Sequence, residues 1–417
     1  MSTIASRATE LVLPAGGRIN VVPTRVSDVV TIAGSIIGGP GAFAPGSGAA
    51  AVIASDLLDA GAGKLGKEAF RAALAGRGAE LQFTADGTRL SWTATCFPED
   101  AKFVLERIAD ALFSPLLPAA ELPAEKLRAL TALADEASDT RAQAERAALR
   151  LIYPAGHPSR ASSFPEERSR IGSIAISDIK AAARSYGTQH LAMAVVGDVN
   201  PSSLMPGIEK AFGRALPGLA RPAAAPAKSI ASARSDVHLA DKANADVVMG
   251  AALGFTTDDA RYLPAAVVVH ALGGSFASHL MQTVRERDGL TYGVRSSLKG
   301  FDDKLDGYLR VWGTFAPNLL MRGIDTLARE TALFLKAGLD ESKLAAIKEE
   351  IEGSYAVSLS TTAGLAMRVV RFMEDDRPLS YIDEYPAIVG RVTQKEARDA
   401  AAYLASLPLS IATAGSF

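Results

Sequence analysis

A chain of 417 residues, 48 % hydrophobic and 22 % charged, is too long for one ordinary core and has the make-up of a soluble globular protein of two domains. A net charge of −2 with no basic run argues against nucleic acid as the main partner. The single Cys96 excludes an internal disulfide and any zinc site built from cysteines. In chain order, strands are expected near 11–22 and 29–37, then helices near 49–58 and 67–75, then strands 79–84 and 88–96. Long helices follow near 100–113, 124–151 and 177–186, with a strand at 191–196. Residues 114–118 and 153–173 read as loops from their Pro, Gly and Ser content. Residues 29–55 carry no charge, but Pro40, Pro45 and six glycines interrupt them. A membrane-spanning helix needs about 20 continuous apolar residues. The segment is therefore expected to be a buried strand, a loop at Gly38–Gly48 and a helix, with no membrane association. No apolar run of signal-peptide length opens the chain. The expected location is cytoplasmic, or periplasmic if a signal peptide has been removed.

The Pro- and Ala-rich stretch 214–235 reads as a linker, and beyond it the pattern begins again. AMAVVGDV, at 192–199, has a counterpart in SIATAGSF at 410–417. The only two tryptophans, Trp92 and Trp312, lie in matching segments, LSWTATCFPED and LRVWGTFAPN. ELPAEKLRAL at 121–130 matches GLDESKLAAI at 338–347. Three matches in one order at a nearly constant offset indicate a duplicated unit, too long to be a solenoid repeat. The expected domains are therefore 1–213 and 236–417. Each runs strands, helix, strands, long helices and a last strand. That is an α+β plan, a largely antiparallel sheet with helices packed on one face. In the second half the long helices are expected at 318–337 and 341–358, with Ile324, Leu327 and Leu335 forming an apolar stripe on the first.

The second copy opens on the most informative stretch, VRERDGLTYGV at 284–294. Phe276, Leu280 and Val284 recur at helical spacing with Ala277 and Met281 beside them, so a helix is expected to face a core here. Asp288-Gly289 ends it, glycine being the usual residue for a left-handed cap. Leu290, Tyr292 and Val294 alternate with Thr291 and Gly293 and read as a strand. Arg285 on the last helical turn and Tyr292 on the strand could then face one cleft. A guanidinium beside a phenol can hold a peptide carbonyl and stabilise charge developing on it. The same residues also suit a cation at a helix C-terminus and an aromatic packed in a sheet. Aligning Gly78 with Gly289 puts Leu74 and Leu81 where the second half has Arg285 and Tyr292, so the pair belongs to the second half alone.

Gly273, Gly274, Phe276, Ser278, Leu280, Arg285, Gly289, Leu290 and Tyr292 together resemble a motif of the pitrilysin/insulinase family of zinc peptidases, which includes the mitochondrial processing peptidase. The resemblance extends over essentially the whole chain. It implies that Arg285 and Tyr292 hold the substrate main chain, across a closed chamber, at the zinc of another domain. The family's zinc motif, His-x-x-Glu-His, belongs within GSGAAAVIASDLLDAG, residues 46–61. One register puts Val52, Ser55 and Asp56 at its His, Glu and His positions; a slip by one gives Ala51, Ala54 and Ser55. Neither offers an imidazole. Glu136 lies roughly where the family takes a third ligand, and one carboxylate does not make a zinc site. No metal residue and no cofactor are therefore assigned to this chain. The expectation is the non-metal, substrate-binding subunit of a heterodimeric zinc endopeptidase, acting on peptides beside a homologous partner that bears the zinc motif. The alternative is an inert scaffold or a peptide-binding protein of the same fold. Arg287 and Arg295, near the pair in sequence, are expected to be replaceable.

Other signals are weaker. GAGKLGKE at 61–68 imitates a phosphate-binding loop, but Glu68 stands where Ser or Thr should hold magnesium, so a Gly-rich turn is expected. His157, His190, His238, His270 and His279 form no i, i+4 pair, and His270 and His279 are expected to pack in a core or interface.

Overall fold

Strands form where short apolar runs are bounded by Gly, Pro or Asp turns, and the first half contains eight of them among its described residues. They are β1 (Thr9–Val12), β2 (Arg18–Pro23), β3 (Val30–Ile37), the two-residue pair β4 (Gly61–Ala62) and β5 (Leu65–Gly66), β6 (Glu80–Asp86), β7 (Arg89–Cys96) and β8 (Ala192–Gly197). The computed structural model describes residues 3–44, 46–223, 225–227 and 232–417. Pro45 of the glycine-rich loop and residues 224 and 228–231 of the expected linker lie outside the described residues.

One compact unit comprises residues 1–130, 168–222 and 354–385. Its six-stranded sheet has the order β1-β2-β8-β3-β7-β6, antiparallel except for the parallel pair β2–β8. Every residue of β3 and of β8 is buried, so both faces of the sheet centre are covered. Thr31, Ala33 and Ser35 face the helix Thr362–Glu374, drawn from the second half of the sequence. Ile32 and Ile36, on the opposite face, are also fully buried. The α+β plan thus stands, with a helix added to the second face of the sheet.

The other unit comprises residues 131–167, 223–353 and 386–417. It contains β9 (Arg234–His238), β10 (Ala245–Ala252), β11 (Gly293–Lys299), β12 (Tyr308–Phe315) and β13 (Ser410–Gly415) in the order β11-β12-β10-β13-β9. Strand for strand this is the order β6-β7-β3-β8-β2, and β13–β9 is again the parallel pair. The matching tryptophans occupy equivalent strands, Trp92 on β7 and Trp312 on β12. The helix Thr140–Ile152, from the first half of the sequence, packs on β10 and β13.

Each swapped helix is secured by an Arg–Glu pair to an equivalent strand. Arg89 of β7 lies 3.7 Å from Glu374, which also accepts from Ser35 Oγ at 2.5 Å. Arg310 of β12 pairs with Glu145. Asp246, buried at the start of β10, accepts from Trp312 Nε1 (2.7 Å), Thr140 Oγ1 (2.5 Å) and Asn244 Nδ2 (2.9 Å). Trp92 Nε1 is buried without a hydrogen-bond partner, so the two tryptophans share a place in the sheet and differ in their polar environment.

Several elements differ from expectation for local reasons. The helix expected over 124–151 is two, Leu122–Ser138 and Thr140–Ile152. Asp139 between them is extended and its side chain caps Ala142 N at 2.7 Å, which restarts the helix. The expected loop 153–173 contains the helix Phe164–Ser173, and a further helix, Pro201–Phe212, begins behind the Asn200 cap. The described part of the linker is tied down. Leu216 and Pro217 accept from the N–H groups of Thr188 and Gln189. Arg221 grips Asp376 with both terminal nitrogens at 2.6 and 2.9 Å. Residues 61–68 form the tight β4–β5 hairpin and the start of a helix, with Lys67 Nζ donating to Glu121 at 2.6 Å. The uncharged stretch becomes β3, a short 3-10 turn and the helix Gly48–Asp56, and no described helix is long and apolar enough to cross a membrane.

Candidate functional site

Gly273 and Gly274 are required by close approach at the end of the helix Tyr262–Gly273. A Cβ on Gly273 would sit 2.4 Å from Ser296 N of β11, and one on Gly274 would sit 2.5 Å from His270 Nδ1. The chain then turns instead of continuing as a helix. Phe276 is 70 % exposed, which corrects its expected place in a core, while Leu280 and Val284 are fully buried. Ser278 is buried and donates to Ser275 O at 2.6 Å, closing the turn.

Residues Met281–Arg287 form a π-helical turn, wider than the expected α-helix. Asp288 N–H donates to Thr283 O at 3.0 Å and Leu290 N–H to Val284 O at 3.1 Å. Gly289, at φ +61, is the left-handed cap the sequence suggests. Gly78 has the same φ in the first half, ahead of β6.

Arg285 lies within this turn, its side chain 32 % exposed, Nε 3.3 Å from Glu286 and the guanidinium 5.7 Å from the Phe276 ring centre. Tyr292 is not on the strand, which begins only at Gly293. Thr291 is the reason. Its buried hydroxyl accepts from Gly293 N–H at 3.0 Å and donates to Thr314 O, taking the place of a ladder bond. Leu290 and Val294 point inward as alternation suggests, but Tyr292 between them is 93 % exposed. Arg285, one-third exposed in the turn, and Tyr292, just ahead of β11, therefore both reach solvent, and the turn packs on β11.

Behind the turn stands Glu330, which belongs to no sequence motif. It sits on the helix Leu320–Ala337 among Leu327, Thr331 and Phe334 and is 4 % exposed. Its carboxylate lies 3.1 Å from His279 Nε2 and accepts from Arg287 Nη2 (3.0 Å) and Arg329 Nη2 (3.2 Å). Burial works to raise its pKa, but the hydrogen bonds from Arg287 and Arg329 outweigh it and hold the group below the ordinary glutamate value. His279 is lowered by burial, with Glu330 opposing. Arg287 also forks onto Asp288 at 2.7 and 2.9 Å. It is thus part of the turn's framework, and the expectation that it is freely replaceable is corrected. His270, similarly, lies 3.2 Å from Glu350. The signal that could have revealed Glu330 is a lone acid on an otherwise apolar helix face.

The residues at the family's zinc positions do not fit a metal. Val52 is half-buried, and buried Ser55 donates its hydroxyl to Val52 O at 2.7 Å. Asp56 reaches solvent, yet surrounding protein and the nearby charges of Glu125 and Asp59 push its pKa up to about 6, against the opposing pull of Arg128. Glu136 is paired with Arg146 at 2.9 Å. Among the described residues no group of three or more His, Cys, Asp or Glu is placed to hold a metal.

Residues 176–351 match the family described as the peptidase M16 inactive domain. A zinc protease of Mycobacterium tuberculosis strain H37Rv, named as uncharacterized, is 25 % identical over 303 residues, 70 % of this chain and 67 % of its own length. The fold agrees at full length: the peptidase M16 inactive domain from Pseudomonas fluorescens superposes with a TM-score of 0.86 at 19 % identity, over 98 % of each chain. In these matches and in its fold the chain is similar to the pitrilysin/insulinase (M16) peptidases. Also similar is the uncharacterized zinc protease YmxG of Bacillus subtilis, 34 % identical over 96 residues, 23 % of either protein. A Streptomyces coelicolor zinc protease is matched over 41 % of its length, so the chain spans under half of each of these two curated relatives. The periplasmic protease PqqL of Escherichia coli shares the fold, with a TM-score of 0.80 at 16 % identity over all of this chain and 46 % of PqqL.

Proposed function

We propose that this chain is the non-metal, substrate-holding subunit of a heterodimeric zinc endopeptidase that degrades or processes peptides in a closed chamber. The observation that carries the reading is Tyr292, 93 % exposed between the buried residues Thr291 and Val294, beside the π-turn that presents Arg285. A phenol held out from a well-fixed backbone contributes little to packing and is ready to donate its O–H. In this reading the Arg285 guanidinium donates to substrate carbonyls and orients the peptide, and Tyr292 donates to the carbonyl oxygen as charge builds on it. Metal and general base belong to a homologous partner chain, because Val52, Ser55 and Asp56 supply no ligand set here. The match to a domain described as inactive favours a second reading, an inert scaffold or peptide-binding protein of the same fold.

The test is zinc analysis and peptide cleavage, first on the purified chain and then on its mixtures with zinc-motif relatives from its own organism. The chain alone should hold no stoichiometric zinc and cleave nothing, and activity should appear in a pair burying more than about 2,000 Å². About one tightly bound zinc per chain would refute the non-metal assignment. A chain that stays monomeric with every such relative would favour the peptide-binding reading.

A further inference from the structure

We infer that Glu330 is the positioning residue of the Arg285–Tyr292 turn. The inference rests on the proposed function only for its catalytic readout.

A buried carboxylate on an apolar helix face is costly unless its oxygens are paired. Glu330 spends both oxygens on the two ends of one short segment. Oε2 lies against His279, two residues before the π-turn, and Oε1 accepts from Arg287, its last residue. Arg285 lies between these anchors and makes no hydrogen bond with Glu330; its Nε pairs with exposed Glu286 at 3.3 Å.

Apolar packing alone does not fix this turn, because only Met281 and Val284 of its seven residues are buried. The polar ties supply the rest. Thr283 Oγ1 donates to His279 O at 2.8 Å, Asp288 N–H returns to Thr283 O, and Arg287 joins Asp288 to Glu330. From Asp288 the chain reaches Tyr292 in four residues, through Gly289 at φ +61. Loosening the Arg287 end therefore displaces both members of the pair. Arg329 also donates to Glu330 from the same helix one residue away, and its Nη2 lies 3.9 Å from Asp288, a weaker tie to the same end of the turn.

The experiment is Glu330→Gln in the full chain, which keeps the side-chain volume and removes the charge. Arg287 and Arg329 have side chains about half exposed (52 % and 54 %), so they hydrate when the carboxylate is lost and the fold survives. Amide hydrogen exchange at Asp288 and Leu290 should quicken by roughly tenfold or more, with the amides of β10 and β12 unchanged. Cleavage by the reconstituted pair should fall by roughly tenfold or more in kcat, and the Glu330→Gln/Arg285→Ala double variant should lose less than the sum of the two single losses, since Glu330 acts in part through Arg285. Arg287→Ala, which cuts the same anchor from the other side, should quicken the same amides if Glu330→Gln proves too unstable to study. Unchanged exchange at 288–290 in both variants overturns the inference, and so does a fully additive double variant. Faster exchange with undiminished cleavage in both Glu330→Gln and Arg285→Ala leaves the hold on the turn intact and refutes the catalytic reading of the pair.

Discussion

Replacing Tyr292 with Phe deletes one hydroxyl from a side chain that is 93 % exposed. A surface change of this kind moves stability by no more than about 0.5 kcal/mol. The Thr291 bonds that shape the segment are untouched. If the hydroxyl donates to the developing oxyanion, its loss should slow cleavage by roughly 10²–10³, about 2.7–4 kcal/mol. Arg285→Ala gives a second estimate. It removes a solvent-facing contact with Glu286 worth about 0–1 kcal/mol and a cation–π contact with Phe276 worth about 0.5–1 kcal/mol. The fold should thus lose roughly 1 kcal/mol, a few degrees in Tm for a unit of this size, while cleavage falls at least as far as for Tyr292→Phe. Arg285→Lys should recover only part, because an ammonium lacks the planar fork. Arg295→Ala, on β11 opposite Trp312, is the control and should stay near wild type. The assay is peptide cleavage by the reconstituted pair, with assembly followed by sizing and stability by calorimetry. Wild-type cleavage by Tyr292→Phe would refute the oxyanion role. Loss of pairing in the same variant would assign the hydroxyl to the subunit interface.

Two other sites give predictions of stability. Asp56 binds its proton more tightly in the folded chain, where its pKa is about 6, than in the unfolded one, near 3.8. Its penalty is therefore absent below the lower value and complete above the higher one. Asp56→Asn should stabilise the chain by roughly 0.5–1 kcal/mol near pH 8, a figure reduced for solvent screening, and by nothing near pH 3; denaturant midpoints that shift equally at both pH values would contradict this. Asp246→Ala strips the carboxylate from Trp312, Thr140 and Asn244 in a buried network and should cost about 3–5 kcal/mol in chemical denaturation. A cost under about 1 kcal/mol would show that the network is dispensable.

Local chemistry was legible wherever a single residue type forces the backbone. Gly289 at its positive φ, the apolar stripe of Ile324, Leu327 and Leu335, and the matched strands of Trp92 and Trp312 all follow from residue identity and spacing. Tyr292 was found as a residue but misplaced on a strand. Alternation assumes an unbroken ladder, and the Thr291 side chain breaks it. Phe276 was put in the core by a period of 3.6 that does not apply, since the chain turns after Gly274 and then widens to a π-turn. Glu330 carries a local signal as an acid on an apolar helix face, but its tie to Arg287, 43 residues away in sequence, is one that no local pattern encodes. The helix swap was hidden for the same reason: Thr140–Ile152 and Thr362–Glu374 are amphipathic wherever they pack.

The swap also fixes when each sheet can be completed during synthesis. The six-stranded sheet is fully translated at Gly197, yet its second face stays bare until Thr362–Glu374 emerges and Glu374 can meet Arg89. The nascent chain must therefore carry an exposed apolar sheet face through most of the remaining translation. Thr140–Ile152 has the converse history, waiting as an amphipathic helix for β10 and finally for β13 at the end of the chain. Dividing the chain between its N- and C-terminal halves would leave each sheet without the helix that covers it. For folding, the two halves of the sequence therefore form a single inheritance that must be made in one piece.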